Sequence, residues 1–163
     1  MADVNHRINV AQAAFSGLHH FWRDHRLPIS LKVRLYNAAV CSSFTHACEA
    51  WDLTDSILRT INGFNSRCLT IILKSDIHDM AANPPFDLVL SVRKRRLRFL
   101  GHVLRMEPDR LVLRTLLALT KGGTDYPEGS LFMDVEHLTY EEVVCLAQDK
   151  RSWKALVGSL DCF

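Results

Sequence analysis

A chain of 163 residues with 48% apolar side chains is long enough to enclose its own core and too apolar to read as a disordered segment. Its 20 basic and 18 acidic residues nearly cancel, so bulk charge excludes a protein that is uniformly cationic or uniformly acidic. No apolar run approaches the roughly 20 residues of a membrane helix, the polar start MADVNHR carries no leader pattern, and the five cysteines lack close pairing. The expectation is a protein of a reducing intracellular compartment, nucleus or cytoplasm, with free thiols and no membrane contact.

Periodicity along the chain is helical, with almost no strand signal. Ile8, Ala11, Phe15, Leu18 and Trp22 fall at helical spacing, predicting a first helix from about Asp3 to His25 that Pro28 stops. Ser30 is the expected N-cap of a second helix, whose inner face would carry Val33, Tyr36, Val40, Phe44 and Ala47 and end near Trp51. Thr54 should cap a third, with Ile57, Leu58, Ile61, Phe64, Cys68, Leu69 and Ile72 as its stripe. Asn83-Pro84-Pro85 closes an irregular link, and a fourth helix near 86–106 carries Leu88, Val92, Leu100, Val103 and Leu104 inward. After Pro108 a short helix fits Leu111 to Leu119, and KGGTDYPEGS then reads as loop. Thr139-Tyr-Glu-Glu142 has capping-box spacing for a helix carrying Val143, Val144 and Leu146, and a last one holds Trp153, Leu156 and Val157. The predicted fold is all-α: an antiparallel helical bundle over 3–119, a loop over 120–133 and a short helical tail over 134–163.

Charge is unevenly spread along that plan. Residues 1–92 carry 8 basic and 8 acidic side chains, residues 93–114 carry 8 and 2, and residues 115–163 carry 4 and 8. The middle segment holds Arg93-Lys94-Arg95-Arg96-Leu97-Arg98, five basic residues in six positions on the fourth helix. At about 100° per residue, Lys94, Arg98 and Arg105 project within roughly 40° of one another, opposite Leu97, Leu100 and Leu104. Such a cationic stripe suits backbone phosphate. Arg93 and Arg96 turn toward the apolar side and must snorkel, pair with an acid, or sit before the helix is fully packed. The bland reading is a solvated face, or contact with the acidic tail. Gly101-His102 would admit either a phosphate, with His102 donating to it, or a tight helix crossing.

RRLRFLGHVLRM, from Arg95 to Met106 and followed by Asp109-Arg110-Leu111, resembles the region after the polymerase core in reverse transcriptases of non-LTR retrotransposons. Other segments agree in order: Arg7-Ile8 through Ala14-Phe15, Leu18 to Trp22, Lys32-Val33-Arg34-Leu35-Tyr36, Glu49-Ala50-Trp51 and Arg67-Cys68-Leu69. The stretch Leu146 to Lys154 is similar to the C-terminal pattern of such polyproteins. The resemblance implies a thumb-like region with its tail, contacting the backbone of an RNA–DNA hybrid or duplex through Arg93, Lys94, Arg95, Arg96, Arg98, His102 and Arg105. The remainder of a reverse transcriptase would be its other partner. Polymerase chemistry needs paired aspartates around two metal ions, and the chain has no Asp-Asp pair, so no reaction and no cofactor are expected. The alternative is a helical protein-interaction module from a degenerate or domesticated retroelement.

Other chemistry is poorly supported. Cys41, His46 and Cys48 lack paired zinc-knuckle spacing, so no metal site is expected, and His19-His20 reads as a surface or packed pair. Cys41 and Cys68 fall on helix faces as core thiols rather than nucleophiles. The aromatics Phe15, Phe21, Trp22, Tyr36, Phe44 and Trp51 have the spacing of core residues instead of a base-stacking platform.

Overall fold

The computed structural model describes residues 2–74, 86–120, 130–135 and 137–160; the link at Asn83-Pro84-Pro85, loop residues 121–129 and Cys162 lie outside them. The chain is all-α, and the described residues include no strand. Contacts divide it into two units, one of Met1–Cys48 with Thr54–Ser91 and one of Glu49–Leu53 with Val92–Phe163.

In the first unit the expected opening helix is two helices, Ala2–Gly17 and His19–Arg23. Leu18 interrupts them because Trp22 folds back: its indole stacks on Phe15 at 5.1 Å and its N–H donates to the Phe15 carbonyl at 2.8 Å. A buried side-chain donor thereby serves a carbonyl at the interrupted helix end. The buried Lys32 does the same for the next helix end, its Nζ donating to the Trp22 carbonyl at 2.9 Å. Pro28, not Ser30, is the N-cap of helix Ile29–Leu35, in extended conformation and with no side-chain bond to the helix start.

The second predicted helix does not run unbroken to Trp51. It passes through a π-helical turn, Tyr36–Cys41, then Ser42–Phe44, a positive-φ residue at Ala47 and a 3₁₀ turn at Cys48–Ala50. The wider π turn aligns residues five apart, which puts Tyr36 and Cys41 on one buried side. Ser43 and Thr45 hydroxyls donate to the Ala39 and Cys41 carbonyls, bonds that help close the irregular stretch. Helix Asp55–Leu73 matches its predicted stripe, with Ile57, Ile61, Phe64, Cys68, Leu69 and Ile72 buried. One polar residue joins them: Asn65 accepts from the Tyr36 hydroxyl at 2.9 Å and donates to the Phe86 carbonyl at 2.8 Å, so the buried amide is satisfied.

The second unit is built on most of helix Leu88–Leu104, whose first turn falls in the first unit. Leu97, Leu100, Val103 and Leu104 share a core with Leu113, Phe132, Val135, Val143, Ala147, Trp153 and Val157. The C-terminal segment is therefore not an appendage to a bundle over 3–119, because its apolar residues complete the core around the basic helix. Leu131–Val135, expected partly as loop, is a 3₁₀ turn that buries Phe132 and Val135. Tyr140–Gln148 starts with the predicted capping box between Thr139 and Glu142. Lys150–Ser159 starts on Asp149, whose carboxylate accepts from the backbone of Arg151 and Ser152.

Candidate nucleic-acid interface

Helix Leu88–Leu104 must bury an apolar face while carrying five basic residues in six positions, and its geometry sorts those residues into different environments. Arg96 falls beside Leu97 and Leu100 and is 1% exposed. Its Nε donates to Asp134 at 2.7 Å, Nη2 to the Ser130 carbonyl at 2.6 Å, and Nη1 to the Trp51 carbonyl. A buried guanidinium with a carboxylate and two carbonyls as acceptors is a structural hub. Arg96 is accordingly withdrawn from phosphate contact. Arg93, at the rim, is exposed and shares Asp134 at 3.5 Å. Burial pushes the Asp134 carboxyl above the usual carboxylate range, against the opposing pull of Arg96 and Arg93.

Arg105 is half-buried and donates to the Ala147 carbonyl at 2.7 Å, while Gln148 donates back to the Leu104 carbonyl at 3.2 Å. Each side chain thus supplies a donor to the closing turn of the other helix, where backbone acceptors are in surplus. Lys94 is also half-buried. The expected stripe of Lys94, Arg98 and Arg105 is therefore not the outer face. The exposed face carries Arg95, Arg98 and His102, three and four residues apart, and the shift follows from the pull of Leu97, Leu100 and Val103 into the core.

Gly101 resolves into the tight crossing. A Cβ there would overlap the Trp153 indole, which lies across the helix and donates its N–H to the Leu97 carbonyl at 2.9 Å. The space left by the missing Cβ is filled by a buried tryptophan, and His102 faces outward beside it.

Among the described residues, two acids facing the block were not assigned from sequence, Asp134 and Glu49, the latter 3.7 Å from Arg95. The excess of acid over base beyond residue 115 was the available signal for the first, whereas nothing local pointed to Glu49. Elsewhere, Cys41, Cys48, Cys68 and Cys145 are free thiols. Burial raises Cys41 and Cys68 to about 12, which disfavours the thiolate a nucleophile needs. Among the described residues no group of three or more His, Cys, Asp or Glu could hold a metal ion, and no helix is long and apolar enough to cross a membrane. Phe15, Trp22, Tyr36, Phe44 and Trp51 are buried and Phe21 is exposed, so five of the six aromatics are unavailable for stacking on bases.

No protein-family model, no curated protein and no solved structure matches this chain.

Proposed function

We propose that the chain is a non-catalytic region that grips the phosphate backbone of an RNA–DNA hybrid or duplex near a primer end, as a thumb-like part of a non-LTR retroelement reverse transcriptase. The observation that carries the reading is the exposed line Arg95, Arg98 and His102 on a helix whose opposite side is core. Side chains one helical turn apart on a firmly seated helix hold their spacing without a backbone-ordering cost at the moment of binding, leaving only the loss of side-chain rotamer freedom. The ordered resemblance of the sequence segments supplies the retroelement assignment. The proposed contact is electrostatic and indifferent to base sequence.

The test is a salt titration of hybrid binding, measured by fluorescence anisotropy. Arg95→Gln with Arg98→Gln should reduce the slope of log affinity against log salt by about 2, close to one counter-ion per phosphate contact. Identical binding by parent and double variant at every salt concentration would remove the proposal. Primer-template, nucleotides and Mg²⁺ with the purified chain should give no extension.

A second reading, a helical protein-interaction module, is favoured by Leu111 and Val112, which are 75% and 49% exposed at the start of helix Leu111–Thr120. Capture of one protein partner, insensitive to salt and abolished by Leu111→Ser, would support it over the first.

A further inference from the structure

Of Asp134 and Glu49, the acids that pair with the basic block among the described residues, Glu49 is placed so that an anion can displace it. The Asp134 side chain is 4% exposed, and its turn also buries Phe132 and Val135, so the turn cannot leave without uncovering core. Glu49 differs. Its side chain is 29% exposed, that of Arg95 is 43% exposed, and a pair at 3.7 Å between such groups is weak. Its position is nonetheless fixed by the fold. Two residues further on, the Trp51 ring is buried and the Trp51 carbonyl accepts from Arg96, which fastens this short segment to the basic helix.

We infer that Glu49 is an internal competitor for the anion at Arg95, occupying the guanidinium until a backbone phosphate takes its place. The inference rests on the phosphate-gripping role proposed above and adds its regulation. In the unbound chain the exposed face is partly neutralised. A phosphate that takes the Arg95 donors leaves the Glu49 carboxylate to water, but a single small phosphate must achieve this with one contact. A polyanion reaching Arg95 and Arg98 together spreads the competition over several contacts, so the pair favours nucleic acid over free phosphate or mononucleotides.

The experiment compares parent, Glu49→Gln, Arg95→Gln and the double variant of the full chain for binding to a labelled RNA–DNA hybrid across a salt series. Inorganic phosphate serves as a competing probe. Glu49→Gln should bind the hybrid about two- to fivefold more tightly near 0.1 M salt, the size of a weak exposed pair, with a salt slope close to the parent's, because Arg95 reaches the same phosphate in both. It should also make the complex easier to compete with inorganic phosphate, while the melting temperature stays that of the parent. In the Arg95→Gln background the gain should shrink to less than twofold. Salt-dependent parent binding with no gain from Glu49→Gln would overturn the inference alone, as would a gain that persists in full without Arg95. A parent that does not bind the hybrid at low salt would overturn the proposed function and this inference with it.

Discussion

At Gly101 a single missing methyl group decides how two helices meet. The Trp153 ring occupies the place of a Cβ, and its N–H shares the Leu97 carbonyl with the helix ladder. Gly101→Ala should cost about 1 to 3 kcal/mol by overpacking, seen as a lower midpoint in urea with an altered Trp153 near-ultraviolet signal. Because the two residues touch, Gly101→Ala should cost much less once Trp153→Ala has already been made. Arg96 and Asp134 present the opposite problem, charges that must stay together. Asp134→Ala strands a buried guanidinium and should cost about 3 to 5 kcal/mol, whereas Arg98→Gln on the outer face should cost less than about 1 kcal/mol. Equal losses from the two substitutions in denaturant melts would contradict the assignment of Arg96 as the buried hub. The basic run itself was plain in the sequence, and pairing with an acid was one of the ways it left open for Arg93 and Arg96. Which cations face outward was not, because a small rotation of the helix exchanges Lys94 and Arg105 for Arg95 and His102, and that rotation is set by tertiary packing of Leu97 and Leu100.

Among the elements, those with strong local signals were predicted well. Helix Asp55–Leu73 carries an uninterrupted apolar stripe, and Tyr140–Gln148 follows a capping box that satisfies its own first-turn donors. The failures came where side chains override the backbone: Trp22 bonding to Phe15 breaks the first helix, and the Tyr36–Cys41 turn winds wider to bring Tyr36 toward Asn65. Neither is visible in a 3.6-residue period. The two tail helices also share a pH response. Bonds from the Thr139 backbone and side chain hold the Glu142 carboxyl below its usual range, and Ser152, through side chain and backbone, and then the Arg151 backbone do the same for Asp149. A carboxylate depressed in the folded state stabilises it above the unfolded pKa and loses that contribution as pH falls through the folded value. Amide exchange at Thr139 and Ser152, whose N–H groups donate to these carboxylates, should therefore lose protection as the solution is acidified through and below the ordinary carboxylate range. Asp149→Ala should flatten the response at Ser152 while leaving that at Thr139. Unchanged protection at both amides in acid would show that the carboxylates do not hold these helix starts.

For the molecule as a whole, the second unit is not a continuous stretch of chain. It takes Glu49–Leu53 from the first half, tied by the buried Trp51 ring and the Arg96 bond to its carbonyl. A fragment of residues 92–163 would keep the α-helices of that unit, the first of them without its opening turn, yet leave Arg96 short of an acceptor and part of its surface uncovered. Such a fragment should melt well below the second unit in the full chain, reported by Trp153 with Trp22 and Trp51 both replaced by Phe in the full chain. A matching melt would mean that the 49–53 segment contributes no stability. The order in which the parts are synthesised adds a consequence. Every segment of the first unit has been made once Ser91 is added, but Arg96 waits for Asp134, 38 residues later. At ~5–20 residues per second that wait lasts about 2 to 8 seconds. During it Trp51 is already present to receive Arg96, while the acid that neutralises Arg93 and Arg96 does not yet exist. The nascent basic helix is thus more cationic while it is being made than it will be once the chain is finished.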